Sequence, residues 1–78
     1  MSERARLRWQ CRRGMRELDV LLERYLERRF DQAPPRLKAA FQALLGEETP
    51  VLLAYLTGRV GPADRDMEEL VAEIRDTN

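Results

Sequence analysis

The chain has 78 residues, with 14 Lys+Arg balanced by 14 Asp+Glu, no His, one Cys and one Trp. This length suits one small domain, expected over residues 1–78, and a composition 44% hydrophobic and 36% charged is that of a folded helical protein. Without His and with a single Cys, a Cys/His zinc site, Ser-His-Asp or Cys-His catalysis and an intrachain disulfide framework are excluded.

In chain order, the hydrophobic spacing predicts helices throughout and no strand. A first helix is expected over residues 3–12, with Leu7 and Cys11 one turn apart and Trp9 to the side. Arg13-Gly14 then offers a stop, because glycine accepts the left-handed conformation that follows many helix ends. The second helix, Met15 to Arg29, carries the clearest amphipathic stripe: Leu18, Leu21, Leu22, Tyr25 and Leu26. Glu17 and Asp19 in its first turn and Arg28-Arg29 in its last suit the helix dipole. Phe30 to Pro34 forms a connection, and Pro34-Pro35 can only stand at or before a helix start.

The third helix is expected over Pro35–Leu45, closed by Gly46. Thr49 reads as the N-cap of a fourth helix with Pro50 at its first position and Gly58 at its end. After a turn at Gly61-Pro62, Asp64 or Asp66 caps a fifth helix striped by Met67, Leu70, Val71 and Ile74. Asp66 with Glu69 could form a capping-box-like pair. The expected fold is an all-α compact bundle of five short helices.

No apolar run approaches the ~20 residues that cross a bilayer, and no signal-peptide pattern precedes the first helix. Together with the lone Cys, this places the expected compartment in a reducing cytoplasm. Net neutrality hides an asymmetry: residues 1–30 hold nine Arg against five acids, whereas residues 31–78 hold five bases against nine acids. Such polarity orients approach to a charged partner.

Charge and unusual backbone are densest between the first two helices, from Trp9 to Asp19. One reading is structural: Arg12 and Arg13 complement a helix end, Gly14 turns the chain, and Glu17 complements the next helix start. The functional reading is that Gly14 leaves the backbone bare between guanidinium and carboxylate groups, a corner suited to a protein partner. Trp9 reads as core in preference to an exposed anchor, since it brings large apolar area. Cys11 reads as a small buried residue, with a redox or flavin-linking role as the alternative. Tyr25 and Tyr55 are expected to bury their rings and keep their hydroxyls at the edge. The acidic run Asp64, Asp66, Glu68, Glu69, Glu73 and Asp76 reads as a solvated helix face, without the oxygen-rich loop of a calcium site. A nucleic-acid binder would use Arg4, Arg6, Arg8 and Arg12, but net charge is zero and aromatics are not interleaved with the bases. An amphipathic membrane-surface helix lacks the apolar face, and Glu17 alone is no catalytic constellation. A binding module is the class that remains.

Arg13-Gly14-Met15-Arg16-Glu17 matches an R-G-x-x-E motif, and here the chain resembles the SdhE family, small FAD assembly factors of succinate dehydrogenase. Leu7-Arg8-Trp9, Arg12 through Asp19, Phe41 through Leu45, Tyr55-Leu56 and Gly61-Pro62-Ala63-Asp64 carry the resemblance. It implies a five-helix fold that binds the flavoprotein subunit of succinate dehydrogenase, and often that of fumarate reductase, and promotes covalent attachment of FAD to a His of that subunit. By the same resemblance Arg13, Gly14 and Glu17 are partner-binding positions, flanked by Arg8, Trp9, Arg12, Arg16 and Asp19. Arg13 and Glu17 would make charged contacts to the client. From the residues themselves the factor is expected to be no enzyme, to hold no metal, and neither to enter the membrane nor to bind nucleic acid; it is further expected to bind no FAD stably, with a monomer as the default. The start of the chain looks bacterial, with a mature mitochondrial form as the alternative. The chain departs from the family pattern at Tyr55, Thr49-Pro50 and Pro34-Pro35. An antitoxin-like or regulatory interaction module is the alternative function, followed by a basic-face nucleic-acid binder.

Overall fold

The computed structural model describes residues 2–77, which form five α-helices and one 3-10 turn, with no strand among the described residues. The order is α1 (Glu3–Gln10), α2 (Arg16–Arg28), the 3-10 turn Phe30–Gln32, α3 (Pro35–Leu45), α4 (Thr49–Leu56) and α5 (Arg65–Asp76). The all-α bundle expected from the 3.6-residue spacing is the observed architecture. The expected domain, 1–78, runs one residue beyond the described stretch at each end.

Local chemistry fixes most helix starts. Ser2 caps α1, its hydroxyl accepting the Ala5 N–H at 3.1 Å. Asp64, not Asp66, caps α5, accepting the Met67 N–H at 2.9 Å. No Asp66–Glu69 capping box forms, because both carboxylates turn to Arg36 on α3. The N-cap of α4 is Glu48, whose backbone is extended and whose side chain makes no capping bond. The helix thus begins one residue before the expected position, with Thr49 already helical. Pro50 is tolerated there because N–H groups of the first turn lack intrahelical partners.

Two helix ends contrast. After α4, Gly58 is left-handed (φ +80°), its N–H donates to Tyr55 O at 3.2 Å, and Arg59 N–H donates to Ala54 O at 3.0 Å, a Schellman cap. Gly46 closes α3 as expected, but in right-handed backbone (φ −80°), its N–H donating to Gln42 O and Ala43 O. The Leu45 carbonyl, the last of α3, is met by a side chain from far earlier in the chain, described below. The first helix stops at Gln10, two residues short of expectation, and α2 excludes Met15 and Arg29, which flank it.

The core is shared by all five helices. Leu18, Leu22, Tyr25 and Leu26 of α2 are buried, with Leu21 at the margin. α3 packs most broadly on α5, and α2 lies against α5 as well. α1 rests on α2 and α3 through Leu7 and Cys11, while Leu52 and Leu56 anchor α4. Phe41 joins the layers, with ring centroids 5.1 Å from Tyr25 and 5.4 Å from Phe30. Tyr25 corrects an expectation: its hydroxyl is not at the edge but buried and without a hydrogen-bond partner. Its place in the middle of the apolar stripe carries the whole side chain inward, and burial, with the Glu73 charge adding, pushes the phenol up to about 12.

The acidic strip of α5 faces solvent as expected, but most of its carboxylates are paired. Arg36 makes a two-pronged contact with Glu69 (2.8 and 3.1 Å) and reaches Asp66 at 3.2 Å. Arg29 lies 3.3 Å from Asp76 and 3.7 Å from Glu73. Basic side chains of the neighbouring elements fall opposite these carboxylates, and Glu68 is left to solvent.

Candidate functional site

The corner between α1 and α2 follows from helix geometry. Leu7 and Cys11 are four residues apart, so both point to the core. Trp9, two residues from each, projects to the opposite side and is 69% exposed. The core reading of Trp9 is thereby overturned: the wheel position outweighs the apolar area of the ring. Cys11 closes α1, its N–H donating to Leu7 O at 3.0 Å, and Arg12 N–H donates to Trp9 O at 3.1 Å. Gly14 is left-handed (φ +82°) and nothing lies within 4 Å of where its Cβ would stand. This glycine is therefore required by backbone conformation, not by crowding, and it sends the chain into α2. Met15, exposed and extended, precedes α2 without a side-chain capping bond.

The expected site residues separate into two groups. Arg13 and Asp19 are tied into the molecule. The Arg13 N–H donates to Asp19 Oδ1 at 2.7 Å, and the Arg13 guanidinium donates to Leu45 O and, at 3.1 Å, to Glu47 O. Its Nε is shut off from solvent without a partner. Trp9, Gly14, Arg16 and Glu17 are exposed, and neither Arg16 nor Glu17 has an ion-pair or hydrogen-bond partner among the described residues. Arg8 and Arg12 fall between, each with a loose 3.8 Å pairing across to α2, to Glu27 and Glu23 respectively.

Open hollows surround the corner. Trp9, Gln10, Arg12, Arg13 and Leu45 line one; Arg16, Glu17, Val20, Leu21 and Arg24 line another. Met15, Val20 and the end of α3 therefore adjoin the expected site, although the sequence reading did not include them. Val20 had a signal, since it lies off the stripe of Leu18 and Leu22. The end of α3 had none, because its proximity is purely tertiary. The arrangement offers apolar, cationic and anionic contacts side by side on an open surface, the mixture found at protein interfaces.

Two alternative chemistries lose support from the geometry. Cys11 is fully buried, and its thiol is pushed up to about 12, first by burial and then by the Glu23 carboxylate. A thiol so held is a packing group, not a nucleophile. Three of the four arginines of a basic nucleic-acid face stand opposite carboxylates, Arg4 at 2.8 Å from Asp31 and Arg8 and Arg12 at 3.8 Å from Glu27 and Glu23, whereas Arg6 is exposed without a partner among the described residues. No helix among the described residues is long and apolar enough to cross a membrane.

Comparison with known proteins gives a consistent result. Residues 5–78 match the family model described as flavinator of succinate dehydrogenase. A "FAD assembly factor SdhE" of Coxiella burnetii (strain RSA 493 / Nine Mile phase I) is 39% identical over 70 residues, covering 90% of this chain and 85% of that protein. Proteins of the same name from Legionella pneumophila (strain Paris) and Methylococcus capsulatus (strain ATCC 33009 / NCIMB 11132 / Bath) are each 40% identical, over 73 and 75 residues. They cover 94% and 96% of this chain and 91% and 90% of their own lengths. With the match running through both the corner and the bundle that holds it, the chain belongs to the flavinator of succinate dehydrogenase family.

Proposed function

We propose that this protein is an FAD assembly factor that binds the flavoprotein subunit of succinate dehydrogenase through the α1–α2 corner and promotes covalent attachment of FAD to that subunit. The observation that carries this reading is that exposed Trp9, bare Gly14, and Arg16 and Glu17, which have no partner among the described residues, all belong to the α1–α2 corner. Exposed charges not engaged within the chain, together with a solvent-facing indole, are groups suited to contact with a partner. The factor acts by binding: it favours the client conformation in which the client's own groups attach the flavin. The buried, protonated Cys11 supports a role without catalysis. FAD is thus cargo for the client and not a resident group of this chain. We further propose that the fumarate reductase flavoprotein subunit is a second client, and that the factor works as a single-domain monomer in the cytoplasm.

In-gel flavin fluorescence of the denatured flavoprotein subunit tests the reading. The subunit is produced with the wild-type factor, without it, and with Gly14→Arg or Glu17→Ala, each variant's folding being checked by circular dichroism. Covalent flavin falls when the factor is absent and when the corner is altered in a folded variant. Unchanged flavin in every lane overturns the reading.

A further inference from the structure

We propose that Arg13 and Asp19 are positioning residues: they hold the Gly14–Glu17 corner in the shape the client meets and do not themselves contact it. This inference rests on the function proposed above and reassigns two of the motif positions within it.

The argument starts from the end of α3. The Gly46 N–H donates to Gln42 O and Ala43 O and the Glu47 N–H to Leu44 O, but among the described residues no backbone donor reaches Leu45 O, and right-handed Gly46 does not supply the left-handed turn that closes α4. Arg13 fills that gap from 32 residues away, donating to Leu45 O and Glu47 O, and its positive charge lies at the negative end of the α3 dipole. The guanidinium is therefore committed to backbone oxygens, with its Nε closed off from solvent. Arg16, three residues on, is exposed and unpartnered among the described residues. Two arginines of one motif are in opposite situations.

Asp19 completes the device. It is half-buried, and one of its oxygens accepts the Arg13 N–H at 2.7 Å across six residues. That bond closes a small ring over Gly14, Met15, Arg16 and Glu17. Gly14 is the residue with the most freedom to lose on ordering, so a loop containing it needs such a tie. Arg13 anchors the ring to α3, and Asp19 anchors it to α2. The exposed groups between the two anchors are thereby offered pre-shaped, which lowers the ordering cost of binding.

The test uses the full chain and the apo flavoprotein subunit of succinate dehydrogenase. Amide hydrogen exchange is measured on the free factor, and affinity for the subunit is measured in parallel. In Arg13→Ala and Asp19→Ala, exchange accelerates at residues 13 and 19, whose N–H groups donate to Asp19 Oδ1 and Met15 O in the wild type, and in Arg13→Ala also at Gly46 and Glu47, while affinity weakens roughly tenfold. Asp19→Asn keeps a carbonyl oxygen for the residue 13 N–H but removes the charge, and restores both exchange and affinity to near wild type. Glu17→Ala loses affinity with exchange unchanged. If Asp19→Asn binds as poorly as Asp19→Ala, or if Arg13→Ala loses affinity with unaltered exchange, these side chains contact the client and the inference falls alone. Accelerated exchange with full affinity overturns it too. A wild-type factor with no affinity for the subunit overturns the proposed function and this inference together. Should Arg13→Ala not fold, the Asp19 pair of variants decides.

Discussion

Arginines and carboxylates on helix surfaces occur in two regions of this molecule with opposite outcomes. Along α5, Arg36 and Arg29 are drawn to Glu69, Asp66, Asp76 and Glu73, so charge meets charge within the chain. At the α1–α2 corner, Arg16 and Glu17 stand next to each other in sequence yet have no partner among the described residues. Adjacent residues on a helix do not face one another, whereas residues on packed neighbouring helices do. Composition thus says little about which charges are available to a partner. The placement of the helices decides it, and here it leaves Arg16 and Glu17 open next to a left-handed glycine.

The largest expected effect removes what both regions rest on. Phe41→Ala opens a cavity beneath Tyr25 and Phe30 and costs about 3–5 kcal/mol, much of the stability of a domain this small. Thermal melts lose their cooperative transition, and flavin attachment to the client is lost with it.

Next comes a pair of glycines that separates the regions. Gly14→Ala and Gly58→Ala each force a side chain into left-handed backbone, at a cost of about 1–2 kcal/mol. At Gly58 the new Cβ also meets the Arg75 guanidinium at 3.4 Å, the far end of a flexible side chain. Melting temperature drops in both variants, but covalent flavin on the client drops only with Gly14→Ala. Equal flavin loss would mean that stability, not the corner, limits activity.

A sharper contrast sets Glu17→Ala against Arg36→Ala. Glu17→Ala changes stability by no more than about 0.5 kcal/mol while reducing flavin attachment. Arg36→Ala leaves flavin attachment intact and gives a small loss of stability that molar salt erases, since the pair is solvent-exposed.

The smallest effect is a pH dependence. The hydrogen bond from Arg36 holds the Glu69 carboxyl below its ordinary range. The folded state therefore binds this proton less readily than the unfolded state. The stabilisation is present above the ordinary Glu range and is lost as pH falls through the lowered folded-state value. Acid melts of wild type and Arg36→Ala converge as that window is crossed.

Legibility in the sequence followed the range of the interaction. The ends of α3 at Pro35 and Leu45 are as read, because proline and the last apolar residue act locally. Thr49 was misplaced by one residue because its hydroxyl is not what starts α4; the extended backbone of Glu48 is. Trp9 was legible in its spacing from Leu7 and Cys11, and only the weight given to ring size hid it. The commitment of Arg13 depends on carbonyls 32 and 34 positions away, so no local pattern reveals it. The burial of the Tyr25 hydroxyl likewise depends on how α2, α3 and α5 close around it. The motif residues stand out through the family resemblance, and the geometry divides them into residues bonded within the chain, Arg13 and Asp19, and exposed ones, Gly14, Arg16 and Glu17.

Trp9 has an optical consequence. It is the only tryptophan of the chain and is already bathed in solvent when the protein is folded. Its emission therefore changes little when the bundle melts, which makes it a poor folding gauge. On the docking proposed above it lies at the edge of the client interface, and indole emission overlaps flavin absorption. Excited indole beside a flavin-loaded client passes its energy on and dims, so the factor carries its own unlabelled reporter of cargo delivery.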